Sequence, residues 1–89
     1  MNTEELEQAL LRYVRTEFLF GDEDEELELT SPLLEWGILD SLRTALLMTH
    51  VREEYGVHIS PAKISARNFR DIRTIAGLVL AESAAASHR

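Results

Sequence analysis

From Ser41 to Tyr55 the chain contains neither glycine nor proline, and Gly56 follows at once. Within this stretch Thr44, Leu47, Met48, Val51 and Tyr55 recur at the three- and four-residue spacing that lines one face of an α-helix. The pattern predicts a core-facing helix, closed by Gly56 as a C-terminal cap. Leu42, Ala45, Leu46 and Thr49 lie round the cylinder from that stripe, so part of the helix is expected to show apolar side chains to solvent or to a partner.

Two further stretches carry the same periodicity. Thr3 is placed to cap a first helix, with Glu4 and Glu5 in its favourable first turn and Leu6, Leu10, Tyr13, Val14 and Phe18 at helical spacing. That helix is expected to run to about residue 19 and to end at Gly21. Asp71 can cap a last helix in which Ile72, Ile75, Ala76 and Val79 share a face, with Phe69 packing just ahead. Between them, Val57 and Ile59 read as an extended packed segment, and Ser60-Pro61 opens a short helix over Ile64. The expected fold is all-α, a small four-helix bundle of three long helices and one short, with a long loop between helices 1 and 2 crossing one end. Residues 1–81 form the domain, and residues 82–89, lacking apolar bulk, are expected to be a disordered tail. A chain of 89 residues buries about 65% of its unfolded surface, enough for one modest core.

A loop of roughly twenty residues between helices is uncommon and often functional. Asp22, Glu23, Asp24, Glu25 and Glu26 repel one another too strongly to pack, while Leu27 and Leu29 can pin the loop to the core. Asp22, Asp24 and Glu26 occupy alternating positions of a calcium loop, but position six is Leu27 instead of glycine and position twelve is Leu33 instead of glutamate. A solvated acidic run is the better reading. His50, His58 and His88 have no metal-ligand spacing. Thr30-Ser31-Pro32 reads as turn chemistry or one helical turn, and Trp36 as a buried anchor of the loop.

The loop delivers the chain to Gly37-Ile38-Leu39-Asp40-Ser41-Leu42, where Ser41 opens the second helix. Backbone N–H groups at a helix start lack intrahelical partners and, with the helix dipole, favour a negative charge there. Asp40 can cap the helix, and Gly37 lets the approaching chain turn tightly. No Gly-x-Ser-x-Gly elbow is present and no base is suggested near the hydroxyl, which disfavours a hydrolase. Ser41 therefore reads as a residue modified by another enzyme.

Composition narrows the partners. The net charge of −7 argues against nucleic acid. Twelve acids against Arg12 and Arg15 leave residues 1–40 at −10, whereas four acids against seven bases leave residues 41–89 at +3. No apolar run approaches a membrane span and no secretory signal is apparent, so a cytoplasmic setting is expected. The chain has no cysteine, so any thiol chemistry requires a prosthetic group.

Gly37-Ile38-Leu39-Asp40-Ser41-Leu42 resembles the attachment motif of acyl and peptidyl carrier proteins, and the resemblance extends from the first helix through the Phe69 to Val79 segment. It implies that Ser41, flanked by Asp40 and Leu42, carries 4′-phosphopantetheine, donated from coenzyme A by a Mg²⁺-dependent phosphopantetheinyl transferase, and that the terminal thiol of this arm holds an acyl group as a thioester. Ser31-Pro32-Leu33-Leu34-Glu35-Trp36-Gly37-Ile38-Leu39 and Arg52-Glu53-Glu54-Tyr55-Gly56-Val57-His58-Ile59-Ser60 are similar to free-standing prolyl carrier proteins of pyrrole-containing natural products, such as the aminocoumarin and pyoluteorin types. That likeness implies an adenylating ligase loading L-proline, a flavin-dependent dehydrogenase oxidising it to pyrrole-2-carboxyl, and a downstream acyltransferase. The carrier itself would be a monomer with no catalytic residues. Only Gly37 stands before the serine where nonribosomal carriers usually show two glycines, and helix 2 begins Ser41-Leu42-Arg43 where fatty-acid carriers have an acidic face. Trp36, Ile38, Leu42, Ala45, Leu46 and Thr49 are thus expected to form a mostly apolar partner patch. The alternatives are a D-alanyl or other acyl carrier and, from a different class, a small helical adaptor with no prosthetic group.

Overall fold

The computed structural model describes residues 2–19 and 27–86, and within them three α-helices surround one core. Helix α1 spans Thr3–Phe18, α2 spans Ser41–Tyr55 and α3 spans Ile72–Ala86. The short helix expected after Pro61 is a 3₁₀ turn, Pro61–Lys63, opened by the Ser60 hydroxyl accepting from the Ala62 N–H. Such turns rarely propagate, because side chains three residues apart eclipse one another.

Helix α1 begins one residue earlier than Thr3 predicts. Asn2 is the cap: its Oδ1 accepts from the N–H of Glu4 at 2.8 Å and of Glu5 at 3.4 Å. Leu6, Leu10, Val14 and Phe18 then fall on the buried face, as their spacing requires. They meet Ile72, Ile75, Ala76 and Val79 of α3, the helix that packs most closely on α1. Glu7 is buried at this junction and pairs with Arg73 across it at 3.5 Å. Leu47 and Val51 complete the core from α2, with Val57 and Ile59 beneath it. Fully burying one such aliphatic side chain contributes about 1.5–3 kcal/mol, so the core and not helix propensity holds these elements together.

The start of α3 is a second well-formed cap. Asp71 accepts from the Thr74 N–H at 2.8 Å and lies 3.5 Å from the Arg70 guanidinium. Burial alone would raise its carboxyl, but the hydrogen bonds with Thr74 and the Arg70 charge overcome that and hold it below the ordinary value. At its far end α3 continues through Ala86, so residues 82–86 are helical where a tail is expected, and the Glu82 carboxylate pairs with Lys63. Alanine is the strongest helix former, and the run of alanines sustains the helix without apolar bulk.

Two main-chain hydrogen bonds stitch the first loop to α3 and the residues just before it: the Arg73 N–H donates to the Leu29 carbonyl at 3.0 Å, and the Leu33 N–H to the Arg70 carbonyl at 3.0 Å. Leu27 is buried and Leu29 packs against the core, the anchoring their sequence positions predict. Arg15 adds a bond from its guanidinium to the Leu27 carbonyl at 3.2 Å. Gly21, the acidic run at 22–26 and His88 lie outside the described residues. Among the described residues no helix is long and apolar enough to cross a membrane, and no cluster of His, Asp and Glu could hold a metal ion.

Candidate functional site

The approach to Ser41 is built by one compact turn. The Trp36 N–H donates to the Pro32 carbonyl, the Gly37 N–H to Leu34 at 3.2 Å, and the Ile38 N–H to Leu33 at 2.9 Å. With Gly37 at φ +71°, this is a Schellman closure of a single helical turn. Leu33 and Ile38, the two apolar residues that such a closure brings together, are both buried.

That geometry overturns two expectations. Ile38 is only 4% exposed and belongs to the core, so it cannot join a partner patch. Trp36, read as a buried anchor, is 54% exposed: Leu33 and Ile38 take the inward positions, and the residues between them, Trp36 included, are turned out.

Beyond the turn, Asp40 caps α2 as its sequence position predicts, its Oδ1 accepting from the Arg43 N–H at 2.8 Å. The Asp40 carbonyl receives the Thr44 N–H at 2.9 Å. The N–H groups of Ser41 and Leu42 precede the first intrahelical bond and have no acceptor within the helix. Ser41 is the first residue of α2, and its side chain faces solvent.

Beside Ser41 opens a cleft of about 530 Å³, walled by Leu34, Thr44, Ala45, Ile64, Ser65, Ala66 and Phe69 together with Asp40. No histidine lines it. His50 stacks on Tyr13 at 3.8 Å between ring centroids, and His58 lines a separate groove. The Asp40 carboxylate is engaged by the Arg43 N–H.

The apolar face of α2 is on the surface, as its sequence predicts. Leu42 is 69% and Leu46 48% exposed, and Ala45 and Thr49 are exposed beside them. Two residues that sequence reasoning left out extend the apolar rim, Leu34 and Ile64. The signal for Leu34 is the closure of the turn, which pairs Leu33 with Ile38 on the inner side and leaves Leu34 outside that pair. Ile64 has no comparable local signal, because only the fold brings the 3₁₀ segment against α2.

Three helices around one core, a long stitched first loop and a solvent-facing serine at the head of α2 define a small acyl carrier fold. A family model described as "Phosphopantetheine attachment site" matches residues 8–80, and the chain belongs to this family of carrier proteins. Among curated proteins it is 34% identical over 74 residues to "Probable acyl carrier protein PigG" of Serratia sp. (strain ATCC 39006), covering 83% of this chain and 84% of that one. Among solved structures it matches, with a TM-score of 0.73 and 37% identity, a chain from a structure described as "Crystal structure of FAD-dependent dehydrogenase", over 79% of this chain and 97% of that chain. The protein is a carrier and not an enzyme, and its prosthetic group is covalently attached 4′-phosphopantetheine.

Proposed function

We propose that Ser41 is the attachment residue, and that the arm carries an L-prolyl group which is oxidised to pyrrole-2-carboxyl while tethered. The observation that carries the first part is the setting of Ser41: a solvent-facing hydroxyl at the first position of α2, beside an open cleft and two helix N–H groups without intrahelical acceptors. These residues fit a phosphodiester, because donors and helix dipole converge where its charge would lie. When bound, the group supplies a thiol at the end of a flexible arm, on which an acyl cargo is held activated as a thioester. The chain's own part is to hold the arm's root rigidly, to offer a surface to successive enzymes, and to keep the cargo at high effective concentration for each.

The prolyl reading is supported by the segments around Trp36 and Tyr55 and by the solved relative. Nearly all of that relative's chain is covered by this carrier-sized one, so the matched chain is itself carrier-sized within a structure named for a FAD-dependent dehydrogenase. An adenylating ligase would load the amino acid, a flavin-dependent dehydrogenase would oxidise it and an acyltransferase would remove the product. Trp36, Leu42, Ala45, Leu46 and Thr49, widened by Leu34 and Ile64, form the surface on which these enzymes dock.

Incubation with coenzyme A, Mg²⁺ and a promiscuous phosphopantetheinyl transferase, followed by intact mass, tests the attachment. Wild type should gain one arm and Ser41→Ala none; an unchanged gain on Ser41→Ala would refute the assignment. Loading the holo protein with a panel of amino and acyl substrates by candidate ligases tests the cargo, and failure with proline alongside success with another acid would defeat the prolyl reading.

A further inference from the structure

Arg43 breaks a local rule. A cation in the first turn of a helix opposes the dipole, which favours acids there, and the first turn of α2 contains no acid. Departures of this kind point to a role elsewhere in the structure. The side chain explains it: the same guanidinium nitrogen, Nη1, donates to the Gly37 carbonyl at 3.3 Å and to the Ile38 carbonyl at 3.2 Å. The guanidinium carbon also lies 5.9 Å from the centroid of the Phe18 ring, on the last residue of α1. Meanwhile the Arg43 backbone N–H is held by Asp40. One residue thus grips both sides of the bend leading into Ser41, from its backbone to the cap and from its side chain to the turn, and braces that bend against a second helix.

We infer that Arg43 is a positioning residue for modification of the chain, fixing the turn at Gly37 and Ile38 so that the serine is presented in one conformation to the transferase; this rests on Ser41 being the attachment site. Without the clamp the bend is free to sample other conformations. Only a fraction of molecules then presents the serine correctly, and the apparent affinity for the transferase falls by that fraction. Once bound in the competent form, the hydroxyl reacts as before.

The test measures phosphopantetheinylation kinetics of the full chain with coenzyme A for wild type, Arg43→Ala and Arg43→Lys. Arg43→Ala should raise the KM for the carrier on the order of three- to tenfold with kcat nearly unchanged. Arg43→Lys, which keeps the charge but not the planar fork, should recover part of the loss. Amide exchange of Ile38 and Leu39, whose N–H groups donate to the Leu33 carbonyl, should accelerate in Arg43→Ala. An unchanged KM, a loss confined to kcat, or unchanged exchange at both amides would overturn the clamp. The exchange readout needs no arm, so it judges the clamp even where wild type gains no mass; absence of mass gain on wild type condemns the attachment assignment instead.

Discussion

Replacing a glycine by alanine should have opposite consequences at two positions of this chain. An added Cβ at Gly37 or at Gly77 would meet no atom within 4 Å, so neither substitution is governed by packing. What differs is the backbone. Gly37 sits at φ +71°, a left-handed conformation that costs an L-residue about 1–2 kcal/mol. Alanine also restricts the unfolded chain, which returns roughly 0.4–1 kcal/mol, leaving Gly37→Ala destabilised by about 1 kcal/mol. Gly77 lies on the exposed face inside α3, where alanine is the better helix former by about 0.5–1 kcal/mol. Urea unfolding followed by far-ultraviolet circular dichroism reads both. With a slope near 1 kcal/mol per molar for a domain of this size, the midpoints should move by roughly 1 M in opposite directions. Gly37→Asn should recover part of the loss, because asparagine tolerates the left-handed region. Shifts of the same sign at the two positions, or an asparagine variant no better than alanine, would refute the reasoning.

Asp71→Asn keeps an N-cap side chain but removes the charge held by Arg70. Because the carboxyl is lowered in the folded state, its contribution is present above the unfolded value near 3.8 and is lost as pH falls through the folded one. Melts at pH 7, 5 and 3 should therefore show the wild-type advantage largest at pH 7 and shrinking at pH 3; an advantage that grows on acidification contradicts the account. Leu42→Ser and Leu46→Ser, both at exposed positions, should leave the unfolding free energy within about 0.5 kcal/mol of wild type while weakening acyl transfer from the loading ligase several-fold. Equal loading of the variants and wild type by a ligase that accepts the protein would remove these residues from the docking surface.

The helices were legible because their apolar residues repeat at helical spacing, and Leu6, Leu10, Val14, Leu47, Val51, Ile72 and Val79 are all buried. Asp40, Asp71 and Gly56 cap where their chemistry predicts, and Gly56 adopts φ +66°. The misreadings share a cause, which is that local patterns do not say which of several neighbouring groups wins a position. Asn2 and Thr3 are both good caps, and the backbone geometry at Asn2 takes the role. Leu33, Trp36 and Ile38 all suit a core, but the left-handed bend at Gly37 sends two inward and one out. That signature was present in the sequence, apolar residues flanking a turn with glycine just before the second. The cleft beside Ser41 was not readable at all, since Leu34, Ile64 and Phe69 meet there only through long-range packing.

The two stitches from the first loop, one to α3 and one to the residue pair ahead of it, join main-chain atoms at Leu29 and Arg73 and at Leu33 and Arg70. They use no side-chain atom, so at the exposed positions Arg70 and Arg73 they exclude only proline at the donor Arg73, while Leu29 and Leu33 are held by the core. The scaffold beneath the serine can therefore stay fixed while the residues displayed on it drift, so new partner preferences can evolve, or be grafted from another carrier, without rebuilding the fold. For a protein whose work is to be recognised by one enzyme after another, such decoupling of support from display is a source of adaptability.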